Sequence, residues 1–169
     1  GYFFKYGIEH GNNSYWAAIA NALDMDVNKM LEIVINKLTN DKSNLIFTAL
    51  NNGYIRTHFE KRDKYIEYLK NFSNIEYDNV SHVLTLPSVI TKNGLNIIII
   101  ARSHNAAQTS DDATQKDNCH IICQNVEEIH NILDSKRETI LLYKEHDNYY
   151  PIFNVLKDTN ENKTITITK

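Results

Sequence analysis

The chain has 169 residues, 42% of them hydrophobic, with 18 basic and 21 acidic side chains and a formal net charge of −3. This length suits one domain, and the charge balance argues against a strongly basic nucleic-acid-binding protein. The only cysteines, Cys119 and Cys123, are too few for a disulfide framework. No leader peptide is visible, and no apolar run approaches the ~18 residues of a membrane span. We therefore expect a single intracellular domain over residues 1–169 that binds neither nucleic acid nor membrane.

The first half of the chain has the apolar spacing of helices, with hydrophobic residues recurring at intervals of three and four. Asp26 occupies the N-cap position before the second predicted helix, and Asn52-Gly53 and Pro87 are stop signals. The predicted helices cover residues 14–23, 27–40, 45–51, 56–72 and 80–86.

The second half has the composition of strands. Residues 95–101 form an almost wholly apolar, β-branched run, which is typical of a strand buried on both faces. Residues 104–118 are polar and predict an exposed loop. Further strands are predicted at 120–123, 139–143, 149–155 and 163–168. Helices followed by strands predict an α+β domain, with a helical N-terminal half packed on a central, mostly antiparallel β-sheet.

One short segment has a residue pattern that suggests a catalytic site. A Gly/Asn turn, Gly11-Asn12-Asn13, places Ser14 at the first position of an apolar helix. A helix N-terminus lowers the pKa of a thiol, and the backbone N–H groups of a preceding turn can hold an oxyanion. This is the arrangement that a thiol protease requires around its nucleophile.

The segment resembles the nucleophile motif of the ovarian tumour (OTU) deubiquitinase family, in which Asp-Gly-Asn-Cys precedes an aromatic pair, a polar residue and Ala-Ile or Ala-Val. Asn13 matches the Asn of this motif, whereas Ser14 stands at the Cys, Gly11 at the acidic residue and Asn12 at the Gly. The remaining matches are the aromatic pair 15–16 and the Ala-Ile pair 18–19. Three of the four core positions are therefore changed, and the nucleophile is one of them.

Features further along the chain follow the order of the same family. A short segment, 84–87, precedes the apolar strand, and the strand 139–143 precedes His146-Asp-Asn-Tyr149-Tyr-Pro-Ile. The ending is similar to diverged OTU-like domains in large proteins of nucleocytoplasmic large DNA viruses. The resemblance implies a papain-like OTU-type fold without a cofactor, and a ubiquitin or ubiquitin-like partner. It also implies a location in the host cytoplasm or virion. Because the sequence begins at Gly1 and not at Met, we expect a domain excised from a longer chain.

The catalytic histidine of the family can be aligned with this sequence in two ways. Aligning the aromatic-Pro-Ile block places Tyr149 at the histidine, which removes the general base. Aligning a His-x-Asn pattern makes His146 the base and Asn148 the residue that orients it. We prefer the first alignment because it needs no shift of strand register.

Two structural interpretations compete with catalysis. Serine is a common helix N-cap, so Ser14 is either a cap or the nucleophile position, natural or substituted for Cys. Cys119, His120 and Cys123 are a weak zinc pattern, because strand alternation separates His120 from the two cysteines and no fourth ligand is near. We predict no metal site.

Three functions remain open at this stage. The preferred one is an OTU-like domain that has lost catalysis and acts as a binding or structural module. The first alternative is an active deubiquitinase in which Cys has been replaced by Ser14, with His146 as its base. The second alternative is a protein–protein adaptor unrelated to ubiquitin, using the loop 104–118 and the aromatic residues of 149–153 as contacts.

Overall fold

A computed structural model describes residues 2–8, 13–71, 75–103, 118–123, 134–156 and 166–168. The helices are α1 (Ser14–Ala22), α2 (Val27–Asn40), α3 (Leu45–Ala49), α4 (Tyr54–Phe59), α5 (Arg62–Lys70) and α6 (Tyr77–Leu84), with a 3₁₀ turn at Leu50–Gly53. The strands are β1 (Tyr2–Lys5), β2 (Leu95–Ser103), β3 (Asn118–Cys123), β4 (Glu138–Glu145), β5 (Asn148–Leu156) and β6 (Thr166–Thr168).

The described strands form one mixed sheet in the order β1-β5-β4-β2-β3, with β6 paired to β5. The pairings are antiparallel except that of β2 with β4, which is parallel. Ile97 lies opposite Ile140 and Ile99 opposite Leu142 in that parallel pair. The structure therefore confirms the coarse prediction, which is a fold that combines helices with a mixed β-sheet.

The core lies between one face of this sheet and the helices. Alternate residues of β2 and β4 point to that face, and the central helix α1 buries Trp16 and Ile19 completely against it. Burial of large apolar side chains of this kind contributes about 1.5–3 kcal/mol each, so α1 is anchored along most of its length. Its first turn is thereby held close to the start of β5.

The helix boundaries follow the predicted ones where caps are strong. Asp26 is the N-cap of α2, and its Oδ1 accepts the backbone N–H of Lys29 at 3.0 Å, as predicted. The single helix predicted over 56–72 is wrong, because the chain breaks between α4 and α5 at Glu60, whose φ is +60°. Residues 72–74 lie outside the described part of the chain, as do 163–165 of the last predicted strand.

The connection between α3 and α4 is a run of left-handed backbone. The predicted helix 45–51 ends at Ala49, and Asn51, Asn52 and Gly53 then have φ values of +48°, +51° and +88°. Asn and Gly are the residues that adopt this region at least cost. Asn52-Gly53 therefore does interrupt the helix, and the chain changes direction there within a 3₁₀ turn.

Candidate functional site

Ser14 is the first residue of α1, and its hydroxyl points to the start of β5. Its Oγ donates a hydrogen bond to the carbonyl oxygen of Asp147 at 3.4 Å and accepts the backbone N–H of Tyr149 at 3.3 Å. The side chain is only 3% exposed. The N-cap of the helix is Asn13, which makes no side-chain capping hydrogen bond. The interpretation of Ser14 as an N-cap is therefore wrong.

Tyr149 is the buried side chain at this junction. Its ring packs edge-on against that of Tyr15, with centroids 5.0 Å apart, and the residue is 5% exposed. The rings of Tyr149 and Tyr15 thus fill the space between α1 and β5. An aromatic pair in this geometry stabilises the fold by more than the apolar area that it buries. The two segments that the motif comparison singled out lie in direct contact.

His146 lies in the two-residue turn between β4 and β5. It is exposed and has a φ of +55°, while Asn148 is half-buried and pairs with Glu145 at the last rung of the ladder. Within the described residues the partners of the Ser14 hydroxyl are both backbone groups. The histidine turn therefore meets Ser14 through the carbonyl of Asp147 instead of through the imidazole.

The turn that precedes Ser14 is described only in part. Gly11 and Asn12, the proposed oxyanion residues, lie outside the described residues. Asn13 is half-buried, and its carbonyl oxygen accepts the backbone N–H of Ala17 at 2.9 Å, which starts the helical ladder of α1.

A buried hydroxyl network joins α1 to α6. The phenol of Tyr15 forms a hydrogen bond with the hydroxyl of Ser81, and both residues are about 1% exposed. Ser81 is not among the residues predicted for the site, although a serine beside Val80 on the apolar stripe of a predicted helix is a signal for a buried partner. The middle of α6 is thus fixed next to the α1–β5 junction.

Burial sets the ionisation of the phenols at this junction. It raises the pKa of both Tyr15 and Tyr149 well above the usual range, and nearby Tyr77 and Asp78 add to the effect on Tyr149. The pKa of Tyr77 itself is raised to about 12, mainly by burial. A phenol with a raised pKa stays neutral and donates hydrogen bonds, so Tyr149 has no basic form near neutral pH with which to take a proton from Ser14.

The zinc pattern falls on the edge strand β3. Cys119 and His120 are both exposed, opposite Arg102 and Ala101 of β2. Across the described ranges, no group of three or more His, Cys, Asp or Glu residues is arranged to hold a metal ion. The predicted loop 104–118 lies outside those ranges except for Asn118, which begins β3.

The expectation of no membrane span can be compared with the length and apolarity of the helices. None of the helices in the described segments is long and apolar enough to cross a membrane.

The whole chain aligns with a viral protein. It is 38% identical over 170 residues to "Uncharacterized protein R327" of Acanthamoeba polyphaga mimivirus. The match covers 100% of this chain and 11% of that relative, so the chain spans only a small part of the relative's length. No family model matches the chain, and no solved structure matches it.

Proposed function

We propose that the chain is a catalytically inactive OTU-like domain that binds ubiquitin or a ubiquitin-like protein as part of a large viral protein. The observation that carries the proposal is the contact of Ser14, at the nucleophile position of the motif, with the backbone of Asp147 and Tyr149, at the base position. A papain-like enzyme needs this meeting of a helix N-terminus and a strand. The mimivirus relative supports a viral origin.

The side chains at the two positions support a loss of catalysis. A serine hydroxyl is a poor nucleophile unless a base takes its proton, and Tyr149 is a buried neutral phenol. The hydroxyl of Ser14 is also engaged by two backbone groups, which hold it in a structural role. In this proposal the chain keeps the fold of the protease but lacks a working nucleophile and general base.

Reconstruction of the site tests the loss of catalysis. A ubiquitin probe with a C-terminal propargyl group reacts with an activated thiol, so the wild type and Ser14→Cys should give no adduct. Ser14→Cys combined with Tyr149→His should give one, because it restores both thiol and base. The matched control is Ser14→Ala with Tyr149→His, which has the imidazole without the thiol.

An adduct with Ser14→Cys alone would contradict the proposal and favour an active enzyme whose Cys was replaced. Adding His146→Ala to that variant would then abolish the adduct if His146 is the base.

Binding is tested separately from catalysis. Isotope-labelled mono-ubiquitin and di-ubiquitin are titrated with the wild-type chain and followed by NMR. We expect shifts on ubiquitin that saturate. No shift at millimolar concentration would refute ubiquitin binding and would favour the adaptor function.

A further inference from the structure

The strand β3 forms one edge of the sheet in the part of the chain that the structure describes. It pairs with β2 along one side, and none of the described strands lies along its other side. Alternate backbone N–H and C=O groups of an edge strand point away from the sheet and have no strand to bond. Such a row of donors and acceptors is complementary to one kind of ligand, which is another extended polypeptide segment.

β3 lacks the features by which proteins protect a sheet edge. Protected edges carry lysine or another charge, a proline or a bulge, each of which discourages the addition of a further strand. β3 contains no Asp, Glu, Lys, Arg or Pro, and its register with β2 runs from Asn118 to Cys123 without interruption. The edge is therefore a regular template on which no charged side chain repels an incoming strand.

The middle of β3 presents an apolar side chain to solvent. Ile121 is 67% exposed, which is a high value for a large aliphatic residue. It lies opposite Ile100 of β2, and Ile100 lies opposite Tyr143 of β4. Directly opposed residues share a face of the sheet, so the three side chains form an apolar row that ends at Ile121. An apolar residue on a further strand would extend this row.

A second copy of the chain supplies such a residue. Two antiparallel β3 strands related by a two-fold axis at Ile121 place this side chain directly opposite its counterpart. The same register sets His120 opposite Ile122 and brings no like charges together, because β3 has no Asp, Glu, Lys or Arg. A register centred on His120 would instead set two imidazoles opposite each other. The strand is therefore complementary to itself around Ile121.

We propose that β3 is a dimerisation surface, at which two copies of the chain pair antiparallel around Ile121 and form one continuous sheet. The backbone hydrogen bonds of the new ladder supply affinity, and the pair of isoleucines fixes the register. Strands of six residues bury less than the about 1,200 Å² at which standard interfaces begin, so the dimer is reversible and its population depends on concentration.

This surface is separate from the proposed ubiquitin-binding junction. β4 and β2 lie between β5, which carries Tyr149, and β3. Neighbouring strands are ~4.8 Å apart, so β5 and β3 are separated by about 14 Å. Dimerisation and ubiquitin binding can therefore be measured independently, and the failure of one proposal leaves the other standing.

Sedimentation velocity of the 169-residue chain over a range of concentrations measures the association. We expect a monomer–dimer equilibrium for the wild type. Ile121→Lys should weaken the dimer at least about tenfold, because two lysines then lie directly opposite each other. The matched control is Leu45→Lys on α3, where the leucine is 68% exposed, and it should leave the equilibrium unchanged.

A cross-link tests the register and guards against a folding defect in Ile121→Lys. Cys119→Ser and Cys123→Ser first remove the native thiols, and Ile121→Cys then places one thiol of each copy at the two-fold axis. Diamide takes the hydrogens of two neighbouring thiols and leaves a disulfide, so this variant should form a covalent dimer. Leu45→Cys in the same background is the matched control and should remain monomeric.

Three results would each overturn the proposal. The first is a wild-type chain that stays monomeric at about 1 mM, as expected if another segment of the same chain covers the edge. The second is a dimer that Ile121→Lys leaves unchanged, which would use a different surface. The third is the absence of a cross-link at residue 121 under conditions in which the wild type is dimeric.

Discussion

The backbone N–H of Tyr149 donates to the Oγ of Ser14 at 3.3 Å and joins residues 135 positions apart in the chain. The hydroxyl donates its own hydrogen bond to the carbonyl oxygen of Asp147, so one small side chain holds the start of α1 against both the β4–β5 turn and β5. This link is the basis of the first prediction.

Ser14→Ala should lower the free energy of unfolding by about 1–2 kcal/mol, because a buried backbone N–H at Tyr149 loses its partner. Urea denaturation measures the change. Ser43→Ala, at an exposed position, is the matched control. If the two variants lose the same stability, the hydroxyl of Ser14 has no structural role and its contacts at the junction are incidental.

Tyrosine ionisation should occur in two stages. Burial raises the pKa of Tyr15, Tyr65 and Tyr149 above the usual range, and that of Tyr77 to about 12. A raised folded pKa gives stability that is present below pH 10 and lost as pH rises through the folded value. Ultraviolet titration should therefore show part of the 10 tyrosines ionising only as the protein unfolds. Ionisation of all of them in one step near pH 10 would contradict this burial.

Asp26→Ala should destabilise the domain by about 1 kcal/mol, because the side chain caps α2 through the N–H of Lys29. Thermal or urea unfolding gives the value. Asn36→Ala, on the exposed face of the same helix, should be neutral or slightly stabilising, since alanine is the better helix former. A loss at residue 36 as large as that at residue 26 would argue against the cap.

Gly94→Ala should cost more than 1 kcal/mol, on the order of the strain of a side chain at positive φ plus a collision. Gly94 has a φ of +87°, and a Cβ there would meet the carbonyl oxygen of Thr85. Gly7→Ala is the control, because nothing lies within 4 Å of the Cβ position. Circular dichroism during thermal unfolding would show the difference, and equal melting temperatures would refute the close approach.

His82 should make stability depend on mildly acidic pH. Burial lowers the pKa of its imidazole, and the nearby Asp78 opposes this only in part. The unfolded chain takes up a proton near the ordinary value of 6.5, whereas the folded state resists it, so stability falls as pH drops below that value. His82→Gln should flatten this dependence between about pH 7 and 5 relative to wild type. An unchanged slope of unfolding free energy against pH would contradict the prediction.

Periodicity and caps were enough to place most elements. The stripe after Asp26 gave α2, and the apolar run 95–101 gave β2, because local spacing and burial on both faces leave clear patterns. The break at Glu60 left no such mark, since helical spacing continues through it and the left-handed turn follows from how α4 and α5 pack. β1 was missed because four residues are too few for a period to be visible.

The candidate site was only partly predictable. The motif comparison brought Ser14 and Tyr149 to one place, and they are in contact. It could not predict where the Ser14 hydroxyl points. The N-cap rule predicts a hydrogen bond to the first turn of the helix, whereas in the structure the hydroxyl contacts the backbone at the start of β5.

The parallel pairing of β2 with β4 affects the order in which the domain can form. Asn96 contacts Thr139 across 43 positions of sequence, so the middle of the sheet cannot close until β4 has left the ribosome. A nascent chain halted before Glu138 exposes the apolar edge of β2 that β4 later covers. Synthesis of the domain therefore passes through a stage at which an aggregation-prone strand awaits its partner, and rapid translation of residues 104–145 would shorten that stage.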